Sequence, residues 1–159
     1  MNITFEPIGL IHSPFQTLEE MPIQPTSEAS RPGVVEIFPQ YAEGLRDLDG
    51  FSHIYLIYHL HRVEQVRLQV KPFLDTQPRG LFATRAPCRP NPIGLSLVQL
   101  ERIEANRLYI LRLDILDQTP LLDIKPYIPE FESSQDVRIG WVAQARGKVR
   151  TQRSDERFL

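Results

Sequence analysis

Cysteine is almost missing from this chain: Cys88 stands alone, so no intrachain disulfide braces the fold. Lysine is scarce too, with Lys71, Lys125 and Lys148 the only three among 18 cationic residues. Net positive charge is absent. The formal charge of -2 excludes a protein held to nucleic acid by bulk charge alone. The eight glycines are scattered, and neither GxGxxG nor GxxxxGK[ST] occurs, which removes support for a Rossmann or P-loop nucleotide site. Long hydrophobic runs are lacking as well. The longest, at 54–58, is far short of the about 20 residues that a membrane helix needs. Residues 1–10 have neither the basic segment nor the apolar stretch of a signal peptide, so a cytoplasmic, soluble protein is expected.

What is present is one domain's worth of chain, 159 residues, expected to divide into a domain at 1–145 and a polar tail at 146–159. A chain of this size closes a core without a disulfide or metal staple. Proline is abundant, at 14 residues, and helix interiors do not tolerate it, so strands and turns should dominate. The cationic residues other than lysine are arginines, whose planar fork suits carboxylate and phosphate; drift in base composition explains the bias equally well.

Residues 3–11 alternate loosely and read as a first strand. Residues 21–33 hold three prolines and no apolar period, which marks a long loop, either functional or a surface excursion. A strand at 34–38 and a short helical segment to Leu48 follow, and then a nearly continuous apolar run at 51–60, the pattern of a strand buried on both faces. Further short strands are expected at 66–70, 81–84 and 137–143. The clearest pairing is a hairpin of 95–104 with 108–115, turning at Ala105-Asn106, with Leu111, Leu113 and Ile115 on one face against Arg112 and Asp114 on the other. Many short strands and one or two short helices predict a mainly β fold, an antiparallel β-barrel or sandwich.

Three segments concentrate chemistry. In TRAPCRPNPIGLS, at 84–96, Pro87, Pro90 and Pro92 stiffen a loop that presents Arg85, Arg89 and Asn91, which suits an anion anchor or a stiff connector. In DQTPLLDIKPY, at 117–127, the Asp-x-Thr-Pro turn exposes backbone groups able to read the edge of a base, or is an ordinary turn. In LRDLDGFSHIYLIYHLH, at 45–61, His53, His59 and His61 share a strand face, yet no metal-ligand spacing accompanies them and no metal is expected; His61 and Arg62 more naturally point into a pocket. Cys88 has no base partner in sequence, and Glu19, Glu20, Glu28 and Glu36 make no carboxylate dyad.

Together these three segments, in this order, resemble the TsaA-like family, whose characterised members are TrmO-type tRNA methyltransferases; the likeness spans 5–127. The resemblance implies a non-Rossmann β-barrel homodimer that binds S-adenosyl-L-methionine and methylates N6 of the threonylcarbamoyl-modified adenosine just 3′ of the tRNA anticodon. It implies a cofactor pocket lined by Pro25, Thr26, Ser27, His61, Arg62, Arg85 and Leu95, with Leu116, Asp117, Gln118 and Thr119 reading the adenine. Arg89 and Asn91 would face the acceptor, with Arg79, Arg146, Lys148 and Arg150 as a basic rim. His61 and Asp117 are the candidates for a general base. Gln118 replaces the glycine usual in that turn, which asks a side chain to enter the left-handed region. The competing expectations are a smaller methyl acceptor on the same fold and a non-catalytic cofactor-binding protein.

Overall fold

The computed structural model describes residues 1–21 and 30–145. Its strands are β1 (Gly9–His12), β2 (Arg31–Ile37), β3 (His53–His59), β4 (Gln69–Val70), β5 (Arg79–Gly80), β6 (Ile93–Glu104), β7 (Arg107–Leu113) and β8 (Thr119–Pro126). Six of them close into an antiparallel barrel in the order β1-β2-β7-β6-β3-β8, with β8 returning to pair with β1, while β4 and β5 make a separate two-stranded ladder. The mainly β barrel expected from the sequence is the fold found. Closure removes the unpaired edges that an open sheet would expose.

Period-2 alternation fills the barrel. Ile11, Val35, Ile37, Ile54, Leu56, Val98, Leu100, Leu108, Ile110, Leu113 and Leu121 are buried inside it. β3 is not buried on both faces as its apolar run suggested. Ile54, Leu56 and Tyr58 point inward, while His53, Tyr55 and Ile57 are half-buried outside, where the Tyr127 ring meets His53 and Tyr55 edge-on. The hairpin turns at Ala105-Asn106 as expected, with Ala105 in the left-handed region at φ 54°. Its inward face differs from the alternation read at 111, 113 and 115. Against β2 the register slips between Ile110 and Leu113, so Leu108, Ile110 and Leu113 face inward and Leu111 is left half-buried.

Other expected elements moved for local reasons. Only Gly9–His12 of the first predicted strand pairs, and residues 1–7 stay exposed. The strand expected at 81–84 is a 3-10 turn, Leu81–Ala83, whose end is tied by the Thr84 hydroxyl donating to the Leu81 carbonyl at 2.7 Å. The strand expected at 137–143 is replaced by a 3-10 segment, Gly140–Ala145, docked by the Trp141 indole N–H on the Ala83 carbonyl at 2.8 Å. Of 66–70, only Gln69–Val70 pairs. The segment after the Asp-x-Thr-Pro turn, to which the sequence reading assigned no strand, is a full barrel strand. The helical segment after β2 is 3-10, Pro39–Leu45, and the one α-helix among the described residues, α1 (Pro129–Glu132), is a single turn.

A second, smaller apolar cluster lies under the loops between β3 and β6, where Val70, Leu81, Ala86 and Cys88 are buried with Val63 and Phe73 against them. It packs the proline-rich loop against Val70 of the β4–β5 ladder and against Leu81. Cys88, fully buried, is therefore packing rather than an accessible thiol. The predicted tail at 146–159 lies outside the described residues.

Candidate functional site

One end of the barrel gathers most of the residues singled out by sequence. β3 leaves the barrel at His59, and the chain turns through His61 and Arg62 while the Leu60 N–H donates to the Pro92 carbonyl at 2.7 Å. β6 begins alongside at Ile93, which pairs with His59. β8 begins at Thr119 on the other flank of β3. The turn 116–119 thus sits beside His61. The Thr119 hydroxyl donates to the Leu116 carbonyl at 2.7 Å and lies 3.3 Å from His61 Nδ1. Since that hydroxyl proton is already committed, the contact requires the proton on Nδ1, the tautomer that leaves the Nε2 lone pair available. Burial lowers the pKa of His61, helped by the charges of Arg62 and His59 and opposed by the His59 backbone carbonyl. A neutral imidazole with a free lone pair is the result.

Gln118 takes the left-handed conformation that its place in the turn required, with φ 60°. Its side chain is tethered: Nε2 lies 3.1 Å from His12 Nδ1 and 3.4 Å from Asp117 Oδ2. Asp117 braces the turn. Its Oδ1 accepts the Ser13 N–H at 2.9 Å, its Oδ2 accepts from Gln16 at 3.3 Å, and its own N–H donates to the Phe15 carbonyl at 2.8 Å. Burial pushes its pKa up, but the Ser13, Gln16 and Gln118 donors outweigh that and hold it below the usual carboxylate range. Sequence reading had no access to this partnership, because Ser13 and Asp117 lie 104 positions apart.

The arginine loop is built as the prolines suggested and is further stapled. The Ala86 N–H donates to the Thr84 hydroxyl at 3.2 Å, and this turn presents Arg85 at the surface. Arg89 turns back into its own loop, with Nη1 donating to the Thr84 and Ala86 carbonyls at 3.0 and 3.2 Å and its guanidinium 5.7 Å from the Phe82 ring centre. Arg79 is ion-paired with Asp75 at 2.6 Å. Asn91 is exposed just before β6. Leu95 is on the outer face of β6, 52% exposed and paired with Ile57, with Ile93 exposed beside it. Pro25, Thr26 and Ser27 lie outside the described residues, as do Arg146, Lys148 and Arg150.

Behind this surface the barrel holds a polar chain that sequence reading missed. The Tyr58 hydroxyl lies 3.0 Å from Ser96 Oγ, which donates to Asp114 Oδ1 at 2.8 Å, and all three side chains are buried. Asp114 was placed by alternation on an outer face. The slipped register carries the chain end inward instead, so that residues 113–116 are all buried. Burial raises the Asp114 pKa to about 7, against the Ser96 hydrogen bond and the Arg85 charge, both of which lower it. Tyr58 is raised as well, by burial and then by Asp114. The Tyr58 ring lies where a side chain at Gly94 would stand, so glycine there is a steric requirement.

Comparison with known proteins agrees with the barrel fold. Residues 10–133 match the family described as tRNA-methyltransferase O N-terminal domain. The chain belongs to this family. A probable S-adenosyl-L-methionine-binding protein of Pyrococcus abyssi is 51% identical over 99% of the chain and 85% of its own length. The human tRNA (adenine(37)-N6)-methyltransferase is 36% identical over 86% of the chain but only 32% of its own length. The crystal structure of TrmO from Pseudomonas aeruginosa superposes with a TM-score of 0.74 at 38% identity, covering 89% of the chain and 63% of that protein.

Proposed function

We propose that the protein is an S-adenosyl-L-methionine-dependent methyltransferase acting on N6 of the threonylcarbamoyl-modified adenosine beside the tRNA anticodon. The observation that carries this is the junction of His61, Thr119 and the turn 116–119 at the mouth of a barrel of the tRNA-methyltransferase O family. The relatives named as a probable S-adenosyl-L-methionine-binding protein and as a tRNA (adenine(37)-N6)-methyltransferase support the same reading.

The residues suit that cofactor's chemistry. Arg85 and Arg62 offer cations for its carboxylate, the exposed Leu95 and Ile93 offer an apolar face for a ring, and a neutral His61 does not repel a sulfonium. Pro25, Thr26 and Ser27 complete the pocket in this reading. When bound, S-adenosyl-L-methionine supplies an electrophilic methyl group. The chain's own contribution is orientation: the turn 116–119 holds the base edge by backbone groups, and the Thr119–Leu116 bond fixes that turn. His61 Nε2 receives the N6 proton, which acylation of the acceptor has made more acidic. Asp117, ionised and engaged by three donors, is the weaker candidate and serves as the brace of the turn. Arg89, through donors other than Nη1, and Asn91 face the RNA. Residues 1–145 act as one unit, in a cytoplasmic homodimer; among the described residues no helix is long and apolar enough to cross a membrane.

Two assays test the proposal. Calorimetric titration with S-adenosyl-L-methionine should show saturable binding, and incubation with tRNA bearing the threonylcarbamoyl mark should add one methyl group, read by nucleoside mass spectrometry. Binding without transfer to tRNA would reduce the protein to a cofactor-binding module.

A further inference from the structure

Tyr58, Ser96 and Asp114 each belong to a different segment of the candidate site. Tyr58 is three residues before His61 at the end of β3, Ser96 follows Leu95 at the start of β6, and Asp114 is two residues before Leu116. Their hydrogen bonds therefore cross-link, from inside the barrel, the three pieces of chain that carry His61 and Arg62, Leu95, and the adenine-reading turn. Buried polar side chains are few among the described residues, and Ser96, Asp114 and Thr119, the polar and charged ones, all lie at this end. A core that needed only to be filled would use apolar residues here, because an ionisable group in the interior is costly.

We propose that the Tyr58–Ser96–Asp114 chain is a positioning device for the cofactor pocket, with Asp114 as the charged residue that sets the spacing of the three segments and the field felt by Arg85. This rests on the cofactor reading above. With Asp114 ionised, Ser96 donates to it and Tyr58 donates to Ser96, so every proton in the chain has one place to go. The carboxylate also supplies negative charge behind a pocket meant for a sulfonium. Protonation reverses the donor order and removes that charge. The groups facing Asp114 are the Ser96 hydroxyl from β6, the Tyr58 hydroxyl from β3, and the Arg85 guanidinium from the proline-rich loop. Its titration near neutral pH makes the consequence measurable.

The test is the pH dependence of S-adenosyl-L-methionine affinity, measured by calorimetry from pH 5.5 to 8.5 on the full chain. Wild type should bind about tenfold more weakly at the acid end, the change that corresponds to a cofactor-induced shift of roughly one pKa unit. Asp114→Asn keeps the shape but cannot ionise, and its affinity should be low and flat across that range. Ser96→Ala removes a bond that favours the carboxylate, so its transition should move to higher pH; it also keeps the test available if Asp114→Asn does not fold. A carbon-13 label on aspartate carboxyls reports the same titration directly. A wild-type profile without a transition, or an Asp114→Asn profile that matches wild type, overturns the positioning role while leaving the cofactor reading intact. Absence of binding at every pH overturns both.

Discussion

The two ends of the barrel interior are built from different chemistry. At the hairpin end Leu100, Leu108 and Ile110 fill the space with nothing to hydrogen-bond. At the other end Tyr58, Ser96, Asp114 and Thr119 spend buried volume on polar groups, every one of them partnered. The first end earns stability; the second gives some of it up to hold three segments in a fixed relation. Strain and buried polarity concentrate where a protein acts rather than where it merely coheres.

The largest effect that would sharpen this contrast is a pH dependence of stability. Asp114 titrates near 7 when folded and near the ordinary value for aspartate, about 3.9, when unfolded. Between those limits the folded chain holds a proton that the unfolded chain has lost, so stability falls as pH rises from about 4 to about 7, by roughly 4 kcal/mol in all. Asp114→Asn should lack that component and be the more stable protein at pH 8. Urea unfolding at pH 4.5 and pH 8 measures it, and parallel behaviour of the two proteins would break the comparison. At the apolar end, Leu108→Ala should cost about 3 kcal/mol of stability. Cofactor affinity should be unchanged by it, because no segment of the site is attached there.

The apolar end was largely legible in sequence and the polar end was not. A continuous apolar run placed β3 and alternation placed the hairpin, because the composition and parity of a strand are local properties. It failed at Asp114, since the register slip between Ile110 and Leu113 is set by the partner strand β2 and leaves no mark in residues 107–115 themselves. His61, Gln118 and Thr119 were found through their motifs. What braces them, Ser13, Gln16 and His12, lies about a hundred positions away and has the composition of ordinary loop residues. The strand β8 was hidden for a different reason: Pro120 and Pro126 are turn signals, but here they stand at the two ends of a paired segment.

Between the ends in magnitude stands the surface cation. Arg85→Ala should weaken S-adenosyl-L-methionine binding by about 2 kcal/mol, some thirtyfold, as for other lost charge-assisted contacts. Arg89→Ala should lower that affinity less, by loosening the Thr84 and Ala86 carbonyls on which the Arg85 turn rests, and should reduce tRNA binding more. Equal affinity of Arg85→Ala and wild type would remove Arg85 from the anchor role.

The smallest effect concerns Gln118, where a side chain occupies the left-handed position of the turn. A left-handed side chain costs about 1 kcal/mol, and Gln118→Gly relieves that. The same change loosens the unfolded chain, at about 0.7 kcal/mol, and discards an exposed hydrogen bond to His12 worth about 0.5 kcal/mol. The terms nearly cancel, so Gln118→Gly should alter stability by less than about 0.5 kcal/mol. Gln118→Ala keeps the backbone cost and loses the tether, and should be the less stable of the two. Thermal unfolding of both variants separates these contributions. If Gln118→Gly were stabilised by well over 1 kcal/mol, the His12 contact would not be offsetting the strain, and the turn would tolerate glutamine only because the rest of the barrel end imposes its shape.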